Sequence, residues 1–390
     1  MSAAANDATT SRRRRILIPF GTRPEIIKLA PVVRALRDAE HVVVTVNTGQ
    51  HSDPIMSSEI SDRLDLDATI TYRLSQEPDL RFANIASDAS RCVREQEPDL
   101  VLALGDTDTV PAYTMAAKRN SVAFAHLEAG LRSFNQRSSE ELNRRIASVG
   151  AVLHFAPTAR ARSFLCDEGV DDARIFVVGN SSIDSLVHSS WTALSINERA
   201  GVLVTAHRAT TVDDPRRLAR LLELVNQLAQ QVGPVAFPVH PRTTQRIDEF
   251  FPNFRFHDAV TLSKPLGYGE FIEQLRRSLL VVTDSGGLQE EAAYFGLPLV
   301  VLRGSTPRWE GVENGSTTLA SLESDESAHE ALVAAHTLTS GSSLQRVASI
   351  PCPYGDGTTG RQVAAILARP SIDELLILKE PSFTNGSLPW

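Results

Sequence analysis

Asp106, Glu128, Glu140 and Glu141 are the acids best placed to do chemistry. The first two follow apolar runs, 99–104 and 122–126, and the second pair opens a helix behind Ser138-Ser139. Carboxylates at strand ends suit general acid–base work on a bound ligand. Capping is the plainer reading, since Asp106-Thr107 and Ser138-Ser139 are both helix-start sequences. Arg23 follows Gly21-Thr22 at a strand-to-helix turn, a position for a fork that grips phosphate, and Lys28 lies one turn on. The alternative for that pair is a solvated helix start. His207 and His240 stand just past two further apolar runs, one followed by Arg208 and one by Pro241-Arg242, which favours ligand contact. Asp106 and Asp108 form an Asp-x-Asp pair, but no third acid or histidine has convincing spacing for a divalent metal.

The elements that position these residues centre on LLVVTDSGGLQEEAAYFGLPLVVL, residues 279–302. It reads as a buried strand, a turn with capping oxygens at Thr283, Asp284 and Ser285, a helix 288–295 closed by Gly296 and Pro298, and a second buried strand. Unpaired N–H groups behind Gly286-Gly287 would make an anion site, with Glu290 and Glu291 one turn inside to accept hydroxyls. A plain βαβ unit with a structural glycine turn is the competing reading. Upstream, strands are expected at 16–20, 42–47, 99–104, 122–126, 152–156 and 175–178, separated by helical stretches. A second series starts at Gly201 and includes 235–239 and 260–262. Strands alternating with helices predict an α/β chain of two Rossmann-like doubly wound domains facing a cleft, with ligands at the carboxyl ends of the strands.

The expected divisions are a disordered tail over 1–14, a first domain over 15–182, a second over 183–352, a helix within 353–375 and a tail over 376–390. Residues 181–200 are the hinge. A chain of 390 residues is long enough for two domains of roughly 150–200 residues. Its 42% apolar and 22% charged residues fit a globular protein, and a net charge of −8 argues against nucleic acid or anionic membrane as partner. Cys92, Cys166 and Cys352 are odd in number and far apart, which points to a reducing cytoplasm. No apolar run reaches the about 18 residues of a membrane span. The basic run at 12–15 lacks the features of a signal peptide. Metalloprotease, nucleophile-elbow, phosphate-loop and paired-cysteine motifs are all missing. The residues alone thus reach a two-domain enzyme for a sugar nucleotide or similar phosphorylated ligand.

Eight motifs, in order, resemble the UDP-N-acetylglucosamine 2-epimerase family. They are Phe20-Gly21-Thr22-Arg23-Pro24-Glu25 with Lys28; Gly105-Asp106-Thr107; His126 to Arg132; Glu140-Glu141-Leu142-Asn143-Arg144; Thr205-Ala206-His207-Arg208; Pro238-Val239-His240-Pro241; Asp284 to Ala292; and Pro353 to Gly357. The resemblance spans roughly residues 15–365 and implies a glycosyltransferase-B-like fold in which the last helix returns to the first domain. It also implies an enzyme that needs no metal or nicotinamide, acts on UDP-GlcNAc or a related UDP-sugar, and is a homodimer through its first domain. In that family UDP is expelled while a base removes the C2 proton; UDP then re-adds to the 2-acetamidoglucal with inversion at C2. A hydrolysing branch adds water and releases free N-acetylmannosamine.

Carried over by motif, Asp106, Glu128 and Glu140 would be base, acid and cation stabiliser, with His207 as a further acid–base group. Acids gathered in one pocket should raise one another's pKa. Arg23, Lys28, Arg132, His240, Ser285, Gly286, Gly287 and Arg308 would bind substrate, and Glu291 the ribose hydroxyls. Ser139 stands where the family usually has proline, Ala209-Thr210-Thr211 replaces its usual sequence, and Thr306-Pro307-Arg308-Trp309-Glu310 stands for Thr-Glu-Arg-Pro-Glu. Gln50-His51 matches part of the activator site of the non-hydrolysing branch, whereas Ser52-Asp53 and Ser75-Gln76-Glu77 depart from it, so the branch stays open. A glycosyltransferase of the same architecture and a non-catalytic sugar-nucleotide sensor are the other readings.

Overall fold

The computed structural model describes residues 12–49, 68–72, 77 and 80–378. The chain divides into two compact units, Met1–Ser189 with Gly355–Trp390, and Ser190–Tyr354. Each is built on its own parallel sheet.

In the first unit the strands are β1 (Arg15–Phe20), β2 (Val42–Asn47), β3 (Ile70–Thr71), β4 (Leu100–Leu104), β5 (Ala123–Leu127), β6 (Leu153–Ala156) and β7 (Ile175–Val177). They lie in the order β3-β2-β1-β4-β5-β6-β7. Ile16 pairs with Val43 on one side and Leu100 on the other, so the order reverses at β1 and β4. That reversal is where a doubly wound sheet opens a binding crevice beyond its carboxyl ends. Strand residues point alternately to the two faces. Ile16, Ile18, Phe20, Leu100 and Leu102 pack with Ile26, Leu29 and Val33 of the helix Arg23–Asp38. Leu17, Val101 and Ala103 pack on the other face with Ile85 of helix Arg81–Gln96 and Tyr113 of helix Thr109–Arg119. Both faces are covered, which is why these strands read as unbroken apolar runs rather than alternating ones.

The helix Thr359–Leu367 adds Val363 and Leu367 to the first of these layers. Its approach to Arg23–Asp38 requires glycine at 360, where a Cβ would lie 2.7 Å from the Pro31 carbonyl oxygen. The order begins before the expected tail boundary. Arg14 is buried, donating to the Leu367 and Arg369 carbonyls at 2.8 and 3.1 Å and pairing with Asp373 at 2.5 Å. A guanidinium at the carbonyl end of a helix is favoured by both hydrogen bonding and the helix dipole. The basic run is therefore partly a strut rather than a tail.

The second unit repeats the pattern with β8 (Val202–Thr205), β9 (Val235–Pro238), β10 (Val260–Ser263), β11 (Leu280–Thr283), β12 (Leu299–Val301) and β13 (Thr317–Leu319). The order is β10-β9-β8-β11-β12-β13, with the reversal between β8 and β11. Between β11 and β12 the helix runs Leu288–Tyr294 and Gly296 leaves it at φ +59°. Ser324 caps helix Asp325–Leu338 by accepting the Ser327 N–H at 3.1 Å. Among the described residues no helix is long and apolar enough to cross a membrane.

His126 and His154 face one another in register across β5 and β6, both buried. Burial holds His126 down to about 4. Burial, then neighbouring His126 and Arg132, holds His154 down to about 3. Between the ordinary value of 6.5 and those values the unfolded chain binds protons that the folded chain refuses, so stability falls as pH falls. Each histidine contributes a slope of ~1.4 kcal/mol per pH unit in that window. Denaturant titrations from pH 7 to 4 should show a steep loss, and His154→Phe should flatten it; equal slopes in both proteins would refute the assignment.

Candidate active site

The first unit gathers its polar groups at the carboxyl ends of β1, β4, β5 and β7. Glu128, directly after β5, has φ +66°, a left-handed conformation that costs a non-glycine residue of order 1–3 kcal/mol. Its Oε1 accepts from Lys28 Nζ at 2.5 Å and from Asn180 Nδ2 at 2.8 Å. A Cβ on Gly105 would lie 3.7 Å from its Oε2. Lys28 thus serves a carboxylate rather than standing alone as a point charge for phosphate. Asp106 pairs with Arg144, and its carbonyl accepts from Asn143 Nδ2 at 2.9 Å. The other arm of Arg144 reaches Glu141 at 2.8 Å.

Glu140 and Glu141 separate cleanly. Glu141 is buried and accepts the Ser133 N–H at 2.8 Å and hydroxyl at 3.0 Å; its burial opposes ionisation, but Arg144 and Ser133 outweigh it and hold the pKa below the usual range. Glu140 is partly exposed and accepts the Ser138 hydroxyl at 2.5 Å. The acids do not sit against one another alone: Lys28 pairs with Glu128, and Arg144 with both Asp106 and Glu141.

Burial pushes Glu25 up, against hydrogen bonds from Gly21, Thr22 and Thr107. One of its oxygens accepts from the Gly21 N–H, the Thr22 N–H and the Thr22 hydroxyl at 3.0, 2.8 and 2.8 Å; the other accepts from Thr107 at 2.8 Å. The start of helix Arg23–Asp38 is therefore filled by the chain's own carboxylate, which also ties it to the loop carrying Asp106. Arg23 is the partly exposed first residue of that helix. Arg132, expected at the substrate, is tied to other residues of the first unit. Its fully buried guanidinium grips Glu168 at 2.8 and 2.6 Å, Ser148 at 2.6 Å and the Leu131 carbonyl at 2.8 Å.

In the second unit Asp284 is fully buried at the end of β11 and accepts the His207 and Arg208 N–H groups at 3.0 and 2.9 Å. It stabilises the loop after β8, not the start of its own helix as the sequence suggested. Its other oxygen lies 3.5 Å from His207 Nδ1. The His207 and His240 rings are 5.5 Å apart, and His240 Nδ1 accepts the Arg242 N–H at 3.2 Å. Partial burial, then His207 and Arg242, holds His240 below the ordinary imidazole value.

The N–H of Ser285, assigned from sequence to a diphosphate, goes to Thr283 Oγ1 at 2.9 Å. A Cβ on Gly286 would lie 3.2 Å from Arg308 Nη1 and 3.8 Å from Arg208 Nη2, so two guanidiniums approach the same glycine. Gly287 is the N-cap of Leu288–Tyr294 and makes no side-chain cap bond. Arg308 is anchored by fully buried Glu290 at 2.9 and 2.7 Å, which removes Glu290 from ligand contact. Glu291 stays partly exposed and accepts the Tyr268 hydroxyl at 3.4 Å.

Sequence reasoning passed over Glu25, Asn180 and Arg208 as working parts, and gave Glu290 to ligand hydroxyls rather than to Arg308. Arg208 had a signal, its place beside His207 at a strand end. The other three act through contacts distant in sequence or hidden inside a capping pattern. Gln50-His51 and Ser75-Gln76 lie outside the described residues. Among those described, no three His, Cys, Asp or Glu side chains form a metal-ligand set, and Asp106 of the Asp-x-Asp pair is instead bound to Arg144.

Residues 34–368 match the sequence profile of the UDP-N-acetylglucosamine 2-epimerase family. The UDP-N-acetylglucosamine 2-epimerase of Methanocaldococcus jannaschii is 32% identical over 370 residues, covering 90% of this chain and 98% of that protein. A UDP-2,3-diacetamido-2,3-dideoxy-D-glucuronate 2-epimerase of Pseudomonas aeruginosa is 33% identical, covering 91% of this chain and 99% of its own. The crystal structure of the M. jannaschii enzyme in complex with UDP-GlcNAc and UDP superposes with a TM-score of 0.78 at 30% identity, covering 90% of this chain and 99% of that one. With the family profile matched over most of its length and both sheets in the doubly wound order, the chain belongs to the UDP-N-acetylglucosamine 2-epimerase family.

Proposed function

We propose that this protein is a UDP-GlcNAc 2-epimerase that interconverts UDP-GlcNAc and UDP-ManNAc. The observation that carries the reading is Glu128, a buried carboxylate in left-handed backbone beyond a strand end, gripped by Lys28 in a chain of this family. In the forward direction the anomeric C–O bond breaks with its electron pair leaving on UDP. The C2–H electrons form the C1–C2 double bond of 2-acetamidoglucal, and a carboxylate takes the proton. Proton return to the opposite face of C2 and attack of UDP oxygen on C1 complete the cycle.

Asp106, Glu128 and Glu140 supply the base, acid and stabiliser of the cationic centre, with His207 as a further proton carrier or diphosphate contact. Arg208 and Arg308 at Gly286, with Arg23, His207 and His240, stabilise the departing diphosphate where charge develops. Glu291 accepts the ribose hydroxyls. A homodimer through the first unit and a cytoplasmic site of action accompany this reading. Three free cysteines fit the latter.

Incubation with UDP-GlcNAc in D₂O should place deuterium at C2 of the recovered UDP-HexNAc, read by NMR. Free N-acetylmannosamine and UDP would put the chain in the hydrolysing branch. Deuterium only with UDP-2,3-diacetamido-2,3-dideoxy-D-glucuronate would mark an altered sugar pocket like that of the P. aeruginosa relative. No C2 exchange with any UDP-sugar, but transfer to an acceptor, would replace the proposal with a glycosyltransferase.

A further inference from the structure

Asn180 sits between β7 and the helix Ser181–His188 and is 1% exposed. Its Oδ1 accepts both the Ser182 N–H at 3.0 Å and the Ser182 hydroxyl at 2.9 Å. A backbone N–H can only donate, so the atom facing it must be the amide oxygen, and the amide cannot be turned round. Nδ2 is thereby forced onto Glu128 Oε1, the oxygen that already accepts from Lys28 Nζ. Two donors on one oxygen leave no place there for a proton. Oε2 is the oxygen on the Gly105 side.

We propose that Asn180 is a positioning residue for the reaction: with Lys28 it keeps Glu128 Oε1 an acceptor and assigns proton exchange with C2 to Oε2. In the forward step Oε2 gains the proton from C2 as the sugar–phosphate bond breaks; in the return step the proton leaves an acid on the other face. This assignment rests on the epimerase reading for its proton, but the grip on Glu128 does not. Among the described residues, the groups around that carboxylate include Lys28 from helix Arg23–Asp38, Asn180 from the β7 loop, buried His126 two residues back on β5, and the Gly105-Asp106 turn after β4 with Asp106 held by Arg144.

Asn180→Ser and Asn180→Asp test the idea, because serine and aspartate also cap helices and keep the acceptor for Ser182 while losing the donor to Glu128. The protonated-carboxyl infrared band that Glu128→Gln removes should appear at higher pH in Asn180→Ser than in the wild type, by about one unit. In turnover, the acid limb of kcat/KM for C2 exchange should rise by at least as much, and further in Asn180→Asp, which sets a second negative charge against Oε1. The change should fall on kcat more than on KM. A band midpoint, or an absence of band, that is the same in wild type and Asn180→Ser overturns the proposal. A shifted band in a protein that exchanges no C2 proton supports Asn180's grip and removes the epimerase reading instead.

Discussion

Glu128→Gln should lose 10²- to 10⁴-fold in C2 deuterium incorporation, the range for removing a positioned acid–base group, while binding of UDP stays near wild type. The substitution is gentle structurally. A glutamine carbonyl can accept from both Lys28 and Asn180, so the contacts at 2.5 and 2.8 Å survive and only the charge is removed. Lys28 and Glu128 are 11% and 7% exposed at their side chains, and losing one charge of such a pair costs more than losing a surface pair. Thermal unfolding therefore runs beside the exchange assay, and an exchange defect in a folded protein isolates the chemistry. UDP titration calorimetry gives the other half, since the groups assigned to the nucleotide, Arg23 apart, lie in the second unit. A variant exchanging deuterium at the wild-type rate would remove Glu128 from the mechanism. A wild type that binds UDP but shows no turnover to lose, with binding unchanged in Glu128→Gln, would favour a sugar-nucleotide sensor.

The fold was legible wherever local chemistry and tertiary packing agree. Val42–Asn47 emerges from sequence at the observed bounds because its apolar β-branched run has polar residues at both ends. Ile70–Thr71 and Thr317–Leu319 are too short to show any period, and they exist because a neighbouring strand offers its edge. The returning helix Thr359–Leu367 shows locally as a helix, but its place against Arg23–Asp38 rests on Gly360 and Pro31, more than three hundred residues apart. Site residues divide in the same way. Arg23, Gly286 and Glu128 lie at the turns and the strand end that the sequence marks. What a sequence cannot tell is which partner consumes a charge. Arg132 and Arg308 are both arginines in motif positions, yet one grips Glu168 and its neighbours while the other reaches Gly286. Asp284 caps a loop 77 residues away rather than the helix four residues ahead, a choice that exists only once β8 and β11 are paired.

Arg308→Ala should destabilise the protein by about 3–5 kcal/mol, because it leaves Glu290 as a buried charge without its cation. Glu290 is fully buried and Arg308 is 7% exposed. The pair itself need not be strongly stabilising, since bringing both charges out of water consumes most of their attraction. Arg308→Met with Glu290→Gln should therefore recover most of the lost stability, the signature of coupled neighbours rather than independent sites. Urea titrations of wild type, Arg308→Ala and the double variant read this directly. A loss below ~1 kcal/mol in the single variant would mean Glu290 had found another partner or a proton. The repaired double variant then separates stability from function. Arg308 Nη1 lies over Gly286 beside Arg208, so a well-folded protein without it should bind UDP about 10- to 100-fold more weakly, the equivalent of one charge-assisted hydrogen bond. Wild-type UDP affinity in that double variant would show that Arg308 only props the loop, and would leave Arg208 and His207 to hold the diphosphate.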